Sequence, residues 1–174
     1  MKQKKFLLTK TLPSTSSENF WTTPELIERI REVKALGFLI KLDTNGTNPD
    51  TIEQLLDENL LDYIAMDIKN SEERYAWTAG CTRINMENIK KSIEIIENSG
   101  INYEFRTTFV NEFHDEKSVR EMAELVRGAK QLFLQKFVDR EGVIQKGLHE
   151  VSFEEANKFR EILSEVVPTE LRGY

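Results

Sequence analysis

The sequence predicts an α/β fold in which helices cover a parallel β-sheet. Two observations carry this prediction: apolar stripes with helical spacing alternate with short apolar runs of strand length, and four of these runs end in polar side chains. Strands joined through helices favour parallel pairing. Because such folds bind ligands at the carboxyl ends of their strands, the polar residues mark the predicted functional site. The four runs are residues 38–47, 63–69, 103–110 and 132–137.

Composition predicts one globular domain. The chain has 174 residues, of which 39% are hydrophobic and 31% are charged, so it is long enough to bury a sizeable core. Residues 1–22 are rich in Ser and Thr without any period, which predicts an irregular leader before a domain at residues 23–174. The net charge of -6 argues against a nucleic-acid surface, which needs clustered Lys and Arg.

Membrane and disulfide classes are also excluded at this stage. No apolar run approaches the roughly 20 residues that span a bilayer. The apolar part of the N-terminal stretch is too short for a signal peptide, so we expect a cytoplasmic protein. Cys81 is the single cysteine, which excludes an internal disulfide and, by itself, a structural zinc site.

Five apolar stripes predict five helices. The first helix begins at Pro24, which suits the first helical turn, and ends before Gly37. The second begins at Pro49 and ends near Asn59. Three more helices are predicted by the stripes Met86, Ile89, Ile93 and Ile96; Val119, Met122, Ala123 and Val126; and Phe153, Ala156, Phe159, Leu163 and Val166.

Two carboxylates follow neighbouring predicted strands. Asp43 and Thr44 come after the first run, and Asp67 comes at the end of the second. Because two carboxylates at adjacent strand ends repel each other, a hard cation with oxygen ligands is a sensible occupant of the space between them. Asn45 and Gly46 also form a strong turn signal, and a turn without any ligand is the alternative that the sequence leaves open.

Basic side chains accompany these carboxylates. Lys69 lies two residues after Asp67, so both side chains point to one face of an extended chain. A lysine beside a carboxylate stays protonated and can bind a ligand's carboxylate; a Schiff-base nucleophile and a solvated lysine are the alternatives. Arg106 lies in a run suited to burial, where its planar guanidinium fits a carboxylate or a ligand's polar edge. The alternative is that it only neutralises the neighbours of Glu104, or Asp67.

The remaining residues of chemical interest are predicted to have structural roles. His114 lies in a polar loop and His149 in the stretch that follows the fourth run, and both are predicted to be surface residues rather than catalytic bases. Trp77 lies among polar residues, and packing is its default interpretation.

Several motifs resemble, in their order, the C-terminal part of the radical SAM enzymes that activate glycyl-radical proteins, and most closely the activating proteins of anaerobic ribonucleoside-triphosphate reductase. The resemblance extends from Pro24 to the C-terminus. Its motifs are KLDTNGT, YIAMDIK, YEFRTTFV, LFLQKF with the following DREGVIQKGLHEVS, and the closing VPTELRGY.

This resemblance implies a partial (β/α) barrel that binds S-adenosylmethionine (SAM) beside a 4Fe-4S cluster. In that family an electron from the cluster cleaves SAM, and the resulting 5′-deoxyadenosyl radical removes a hydrogen from a glycine of the reductase. The resemblance matches Lys69 to a contact with the methionine carboxylate, and it places Arg106 and Thr108 on a strand beside SAM. Taken together, Asp43, Thr44 and Asp67 match a monovalent-cation site next to SAM.

Two motifs of the family are absent from this sequence. The cluster loop Cys-x3-Cys-x2-Cys needs three thiolates, whereas this chain has only Cys81. The Gly-Gly-Glu-Pro turn, which receives the amino group of SAM, is also missing. We therefore expect a truncated domain that lacks the first βα units, binds SAM weakly and forms no radical alone.

The missing units also imply an open sheet edge through which chains could self-associate. Whether the chain acts as an enzyme stays open at this point. The alternative to an activating enzyme is a non-catalytic module that binds the reductase or a cation.

Overall fold

A computed structural model of the chain describes residues 5–8, 24–139 and 145–174. The strands in these residues are β1 (Lys5–Leu8), β2 (Leu39–Thr44), β3 (Tyr63–Asp67), β4 (Asn102–Phe109), β5 (Leu132–Lys136) and β6 (Thr169–Arg172). The helices are α1 (Pro24–Ala35), α2 (Pro49–Asp57), α3 (Tyr75–Thr78), α4 (Met86–Asn98), α5 (Glu116–Leu125) and α6 (Phe153–Ser164).

The chain divides into two compact units, which we describe separately. Unit 1 comprises the residues up to 67 together with 85–103, and unit 2 comprises 68–84 and 104–174.

In unit 1, β1, β2 and β3 pair side by side and parallel, in that order. The register sets Asp43 opposite Ala65 and Thr44 opposite Met66. Because side chains alternate along a strand, Asp43 and Ala65 share one face and Thr44 and Met66 share the other. Helices begin where side chains cap them: the Asn48 side chain accepts the Thr51 N–H at the start of α2. The core of this unit consists mainly of Ile30, Ile40, Leu42, Ile52, Leu55, Ile64, Met66, Ile89 and Ile96.

In unit 2, β4, β5 and β6 also pair parallel. One face of β4 is fully buried, with Phe109 packed edge-on against Phe159 of α6 at 5.2 Å between ring centroids. The start of α5 carries a capping box, in which the Asp115 side chain accepts the Ser118 N–H and the Ser118 hydroxyl accepts the Asp115 N–H. The core of this unit consists mainly of Phe105, Phe109, Val119, Met122, Leu132, Leu134, Ala156 and Leu163.

The predicted α/β fold with parallel strands is confirmed, and each of the five predicted helices is present. Phe153 is a correction: it opens α6 but is 64% exposed, because its position in the first turn extends past the buried stripe. The short helix α3 and the strand β6 were not predicted, since neither segment is long enough for a period to show.

The predicted leader contains one described element. Residues 5–8 form β1, which pairs with β2 from Leu39 to Leu42. The edge of β2 that the sequence predicts to be open is therefore covered by this strand. The rest of the leader, residues 1–4 and 9–22, lies outside the described residues, as does Thr23. Among the residues that the structure describes, no helix is long and apolar enough to cross a membrane.

Candidate functional site

The predicted cation residues lie at the carboxyl ends of neighbouring parallel strands of unit 1. Asp43 and Thr44 close β2, and Asp67 closes β3. Asp43 is opposite Ala65 in the register, so Asp67, two residues further along β3, shares its face. The structure thus places both carboxylates on one face of the two strands, whereas Thr44 belongs to the opposite face.

Asp43 is buried and has a basic neighbour. Its side chain is 4% exposed, and its Oδ1 lies 3.6 Å from the Nζ of Lys41, two residues earlier on the same face. The Lys41 ammonium also lies 5.3 Å from the ring centroid of Tyr63 on β3. A buried carboxylate needs a compensating charge, and Lys41 supplies positive charge beside Asp43.

The turn after β2 is held by short-range hydrogen bonds. The Gly46 N–H donates to the Thr44 hydroxyl at 3.1 Å, and the Thr47 N–H donates to the Asn45 side-chain oxygen at 3.1 Å. Gly46 has φ 74, a left-handed conformation that glycine adopts without strain. The Asn-Gly turn that the sequence predicts is therefore present.

The same turn is anchored to α4. The Ser92 hydroxyl donates to the Gly46 carbonyl at 2.8 Å, and the Asn88 side-chain amide donates to the Thr47 carbonyl at 3.0 Å. Ser92 is fully buried. A Cβ on Gly46 would clash with the methyl carbon of Met66, so this flexible but fully buried side chain would have to move to admit it. These contacts fix the backbone that carries Asp43 and Thr44.

Unit 2 has a polar sheet face. Arg106 is half-buried and Thr108 is exposed; the two alternate with the buried face of β4, so both lie on its other face. In the register Arg106 is opposite Phe133 and Thr108 is opposite Gln135. The structure therefore brings the two predicted β4 residues onto one surface with a ring and an amide from β5.

An ion pair crosses this polar face, and sequence reasoning missed it. Glu104 of β4 is buried, and its two carboxylate oxygens accept hydrogen bonds from the Arg172 guanidinium of β6 at 3.2 and 3.1 Å. Between them, the Phe133 ring on β5 lies 3.6 Å beneath the guanidinium carbon. The arrangement joins three strands, and since its residues are 68 positions apart at the extremes, no local pattern in the sequence indicates it.

Three hydrogen bonds hold the backbone at Ile68 and Lys69. The Ile68 N–H donates to the Arg106 carbonyl at 2.8 Å, and the Thr107 hydroxyl donates to the Ile68 carbonyl at 2.8 Å. The Lys69 carbonyl accepts from the ring nitrogen Nε2 of His114 at 2.9 Å. The chain past β3 therefore continues along β4 and is then held by the loop that follows β4.

His114 is buried, which corrects the prediction of a surface residue. It is 4% exposed because its ring packs 4.7 Å from the Phe109 ring, centroid to centroid, beneath the loop. Nδ1 lies 3.1 Å from both the nitrogen and the carbonyl oxygen of Val110, and Nε2 faces the Lys69 carbonyl, which can only accept. In the neutral ring the proton therefore lies on Nε2, and Nδ1 accepts the Val110 N–H. Burial lowers the pKa of His114 below the usual histidine value, which keeps the imidazole neutral.

The predictions for His149 and Trp77 have different outcomes. His149 is exposed, as predicted, and both its backbone N–H and its Nδ1 contact the Glu112 carboxylate, at 2.9 and 2.6 Å. These contacts, the backbone bond first, lower the pKa of Glu112. Trp77 is 54% exposed, and its ring makes an edge contact with Phe113 at 4.9 Å between ring centroids.

The cluster implied by the resemblance does not fit this chain. Three thiolates hold such a cluster, and the sequence contains one cysteine, Cys81, whose thiol donates to the Ala76 carbonyl at 3.5 Å. Within residues 25–139 and 145–174, no three His, Cys, Asp or Glu side chains are grouped as metal ligands.

Comparison with known proteins adds a relationship. The chain matches no protein-family model. It is 33% identical over 136 residues to "Putative glycyl-radical enzyme activating enzyme MJ1227" of Methanocaldococcus jannaschii, a match that covers 76% of this chain. Over the aligned stretch, the chain is related to the glycyl-radical activating enzymes. It spans 56% of the length of that relative.

Solved structures agree on the fold. The chain resembles a domain of pyruvate-formate lyase-activating enzyme from Bacteroides vulgatus, with a TM-score of 0.70, 17% identity, and coverage of 94% of this chain and 98% of that one. It also resembles a radical SAM methyltransferase from Sphaerobacter thermophilus, with a TM-score of 0.66, 18% identity, and coverage of 79% and 42%. At these identities the likeness shows the fold alone, and that fold is the α/β type found in radical SAM proteins.

Proposed function

We propose that this chain forms the SAM-side part of a radical SAM activating enzyme, and that its partner is a glycyl-radical protein, namely an anaerobic ribonucleoside-triphosphate reductase. The observation that supports the activating class is the 33% identity to a protein named for that activity. The reductase as partner is supported by the motif order from KLDTNGT to VPTELRGY.

Within this function, Lys69 binds the methionine carboxylate of SAM. A lysine ammonium is a strong donor to a carboxylate, and the backbone around Lys69 is fixed by the bonds to Arg106, Thr107 and His114. Arg106 and Thr108 line the polar face of β4 as further SAM contacts. Asp43 and Asp67 share a face of unit 1 and hold a monovalent cation, and Lys41 competes for that position. The Thr44 side chain lies on the opposite face, so we leave it out of the proposed cation ligands.

SAM supplies a 5′-deoxyadenosyl group when a reduced cluster cleaves it, but this chain offers one thiolate and holds no such cluster. The activity of this chain is therefore limited to binding. We expect the purified chain, after anaerobic treatment with iron and sulfide, to form no 5′-deoxyadenosine from SAM. Formation of that product would show that the chain holds a cluster by other ligands.

SAM binding is tested by isothermal titration with the full chain. We expect weak, saturable binding that weakens about tenfold in Lys69→Met, because a hydrogen bond to a charged group contributes roughly 1.5–3 kcal/mol. Lys117→Met is the matched control: the Lys117 side chain lies on α5, is 70% exposed and pairs with Glu73 and Glu121. Equal loss in both variants, or no saturable binding by the wild type, would contradict the proposed ligand.

The partner is tested by capture on the immobilised chain. Purified anaerobic ribonucleoside-triphosphate reductase and pyruvate formate-lyase are offered separately, and we expect the reductase to be retained preferentially. Retention of pyruvate formate-lyase alone would reassign the partner within the glycyl-radical proteins. Retention of neither would remove the partner from the proposal.

A second candidate function is a non-catalytic module that binds the reductase or a cation. The observation that favours it is the single cysteine, since a module of this kind needs no cluster. Capture of the reductase without any measurable SAM binding would favour the module. Saturable SAM binding that depends on Lys69 would favour the activating enzyme.

A further inference from the structure

A buried imidazole contacts the backbone carbonyl of Lys69, the lysine that we assign to ligand binding. Lys69 presents its side chain from a short segment that has already left β3, which ends at Asp67. The segment still bonds to β4 at Ile68, whose N–H donates to the Arg106 carbonyl and whose carbonyl accepts from the Thr107 hydroxyl. Past Ile68 it is also held by contacts with the loop after β4.

Two side chains make those contacts. The His114 Nε2–H donates to the Lys69 carbonyl at 2.9 Å. The Asn70 side-chain amide donates to the Phe113 carbonyl at 2.8 Å and to the Thr78 hydroxyl at 2.9 Å. Asn70 and His114 are both buried, and the bond from Asn70 to the Phe113 carbonyl is shielded from competing water.

The hydrogen-bond pattern gives His114 a single useful tautomer. Nδ1 contacts both the N–H and the carbonyl of Val110 at 3.1 Å. Because the Lys69 carbonyl can only accept, the neutral ring keeps its proton on Nε2 as the donor toward Lys69. Charged groups close to the ring are Arg74 and Asp115, which pair with each other at 2.7 Å. The ring therefore links the backbone of the loop to the backbone of Lys69, while its own charge stays zero.

We propose that His114 is a positioning residue: by fixing the Lys69 peptide, it holds the Lys69 ammonium in one orientation toward an anionic ligand. This inference rests on the proposed role of Lys69 in binding the SAM carboxylate. His114 touches no ligand in this scheme and acts only through Lys69. It follows that the effect of changing His114 must depend on whether Lys69 is present.

The test is a double-mutant cycle on SAM affinity with the full chain. His114→Phe keeps a ring against Phe109 but removes both the donor and the acceptor. We expect about fivefold weaker binding of SAM, the loss typical of one hydrogen bond. In a Lys69→Met background the same change should give no further loss, because the group that it positions is gone. Additive losses in the cycle would overturn the inference.

Two further variants separate positioning from general damage. His114→Gln retains an N–H within reach of the Lys69 carbonyl, and we expect it to restore most of the affinity that His114→Phe loses. Phe159→Leu destabilises the same unit through its contact with Phe109 without touching Lys69, and its SAM affinity should equal that of the wild type. Failure of the Gln variant to recover affinity, or an equal loss in Phe159→Leu, would count against positioning.

A measurement without ligand distinguishes this inference from the proposed function. Carbon-13 relaxation at the Lys69 Cε reports how ordered the side chain is. We expect lower order in His114→Phe and wild-type order in Phe159→Leu. If the wild type binds no SAM, the proposed ligand fails, and this comparison alone decides the role of His114; unchanged order in His114→Phe would overturn it.

Discussion

The turn after β2 and the segment after β3 each lie next to predicted site residues, but they are held by different kinds of contact. In the turn, the Gly46 and Thr47 N–H groups bond to side chains two residues away. In the segment, the Lys69 carbonyl is bonded by a side chain 45 residues away. The comparison teaches that the turn after β2 has local side-chain bonds in addition to its anchors from α4, whereas the Lys69 carbonyl is held by a distant loop.

The largest expected effect tests the close approach in the turn. Gly46→Ala forces a Cβ toward the Met66 side chain and places alanine at φ 74, so we expect about 3 kcal/mol less free energy of unfolding. Gly100→Ala is the control, since Gly100 has φ 76 but nothing within 4 Å of its added Cβ. It should lose about 1 kcal/mol from the left-handed conformation alone. Urea unfolding measures both, and equal losses would show that Met66 gives way freely.

The next effect tests the long-range contacts of unit 2. Arg172→Met keeps an aliphatic chain over Phe133 but takes the guanidinium from the buried Glu104 carboxylate, so we expect about 2 kcal/mol less free energy of unfolding. Adding Glu104→Gln should recover most of this loss, because it removes the buried charge. A double variant as unstable as Arg172→Met would show that the charge is not what matters.

A smaller effect depends on pH. His114 is neutral in the folded state because burial lowers its pKa, while the unfolded chain binds a proton below the usual histidine pKa of about 6.5. The unfolded state then holds more protons, so stability falls as the pH falls below that value. Between pH 7.5 and 5.5 the wild type should lose about 1 kcal/mol more than His114→Gln.

The pH comparison has an internal check. His149 and Glu112 are present in both proteins and cancel in the difference. Urea unfolding curves at matched pH values give the result directly. If wild type and His114→Gln lost stability in parallel, a neutral, buried His114 would be contradicted.

The smallest expected effect on the free energy of unfolding concerns the hydrogen bonds of two serine hydroxyls in unit 1. Ser92→Ala removes the donor to the Gly46 carbonyl, a buried contact that spans 46 residues, and should cost about 1 kcal/mol in the free energy of unfolding. Ser99→Ala removes a bond to the Ile96 carbonyl three residues away, in a half-buried site that water can reach. It should cost less, and a larger loss for Ser99→Ala would reverse the comparison.

Much of the fold could be predicted because its signals are local. Pro24 and Pro49 open helices, and the stripe from Met86 to Ile96 has the helical period that its burial requires. Asp43 and Asp67 lie at adjacent strand ends, as the alternation of strands and helices predicts. The roles of the six predicted site residues in binding a cation or SAM stay predictions.

The features that could not be predicted depend on contacts between segments that are distant in sequence. β1 lies in the stretch that composition indicated as irregular, and it forms only by pairing with β2. β6 pairs with β5 in the same way and brings Arg172 to Glu104. His114 looks like a loop residue until the loop folds over it.

The sequence by itself determined the order of helices and strands, the turn at Gly46, and which polar residues end the strands, because these depend on spacing within a few residues. Only the tertiary structure decided that Arg172 covers Glu104 and that His114 is buried against the Lys69 backbone. The physical reason is that burial and pairing of charges depend on which segments meet in space, and chain closure over tens of residues leaves no periodic trace in the sequence.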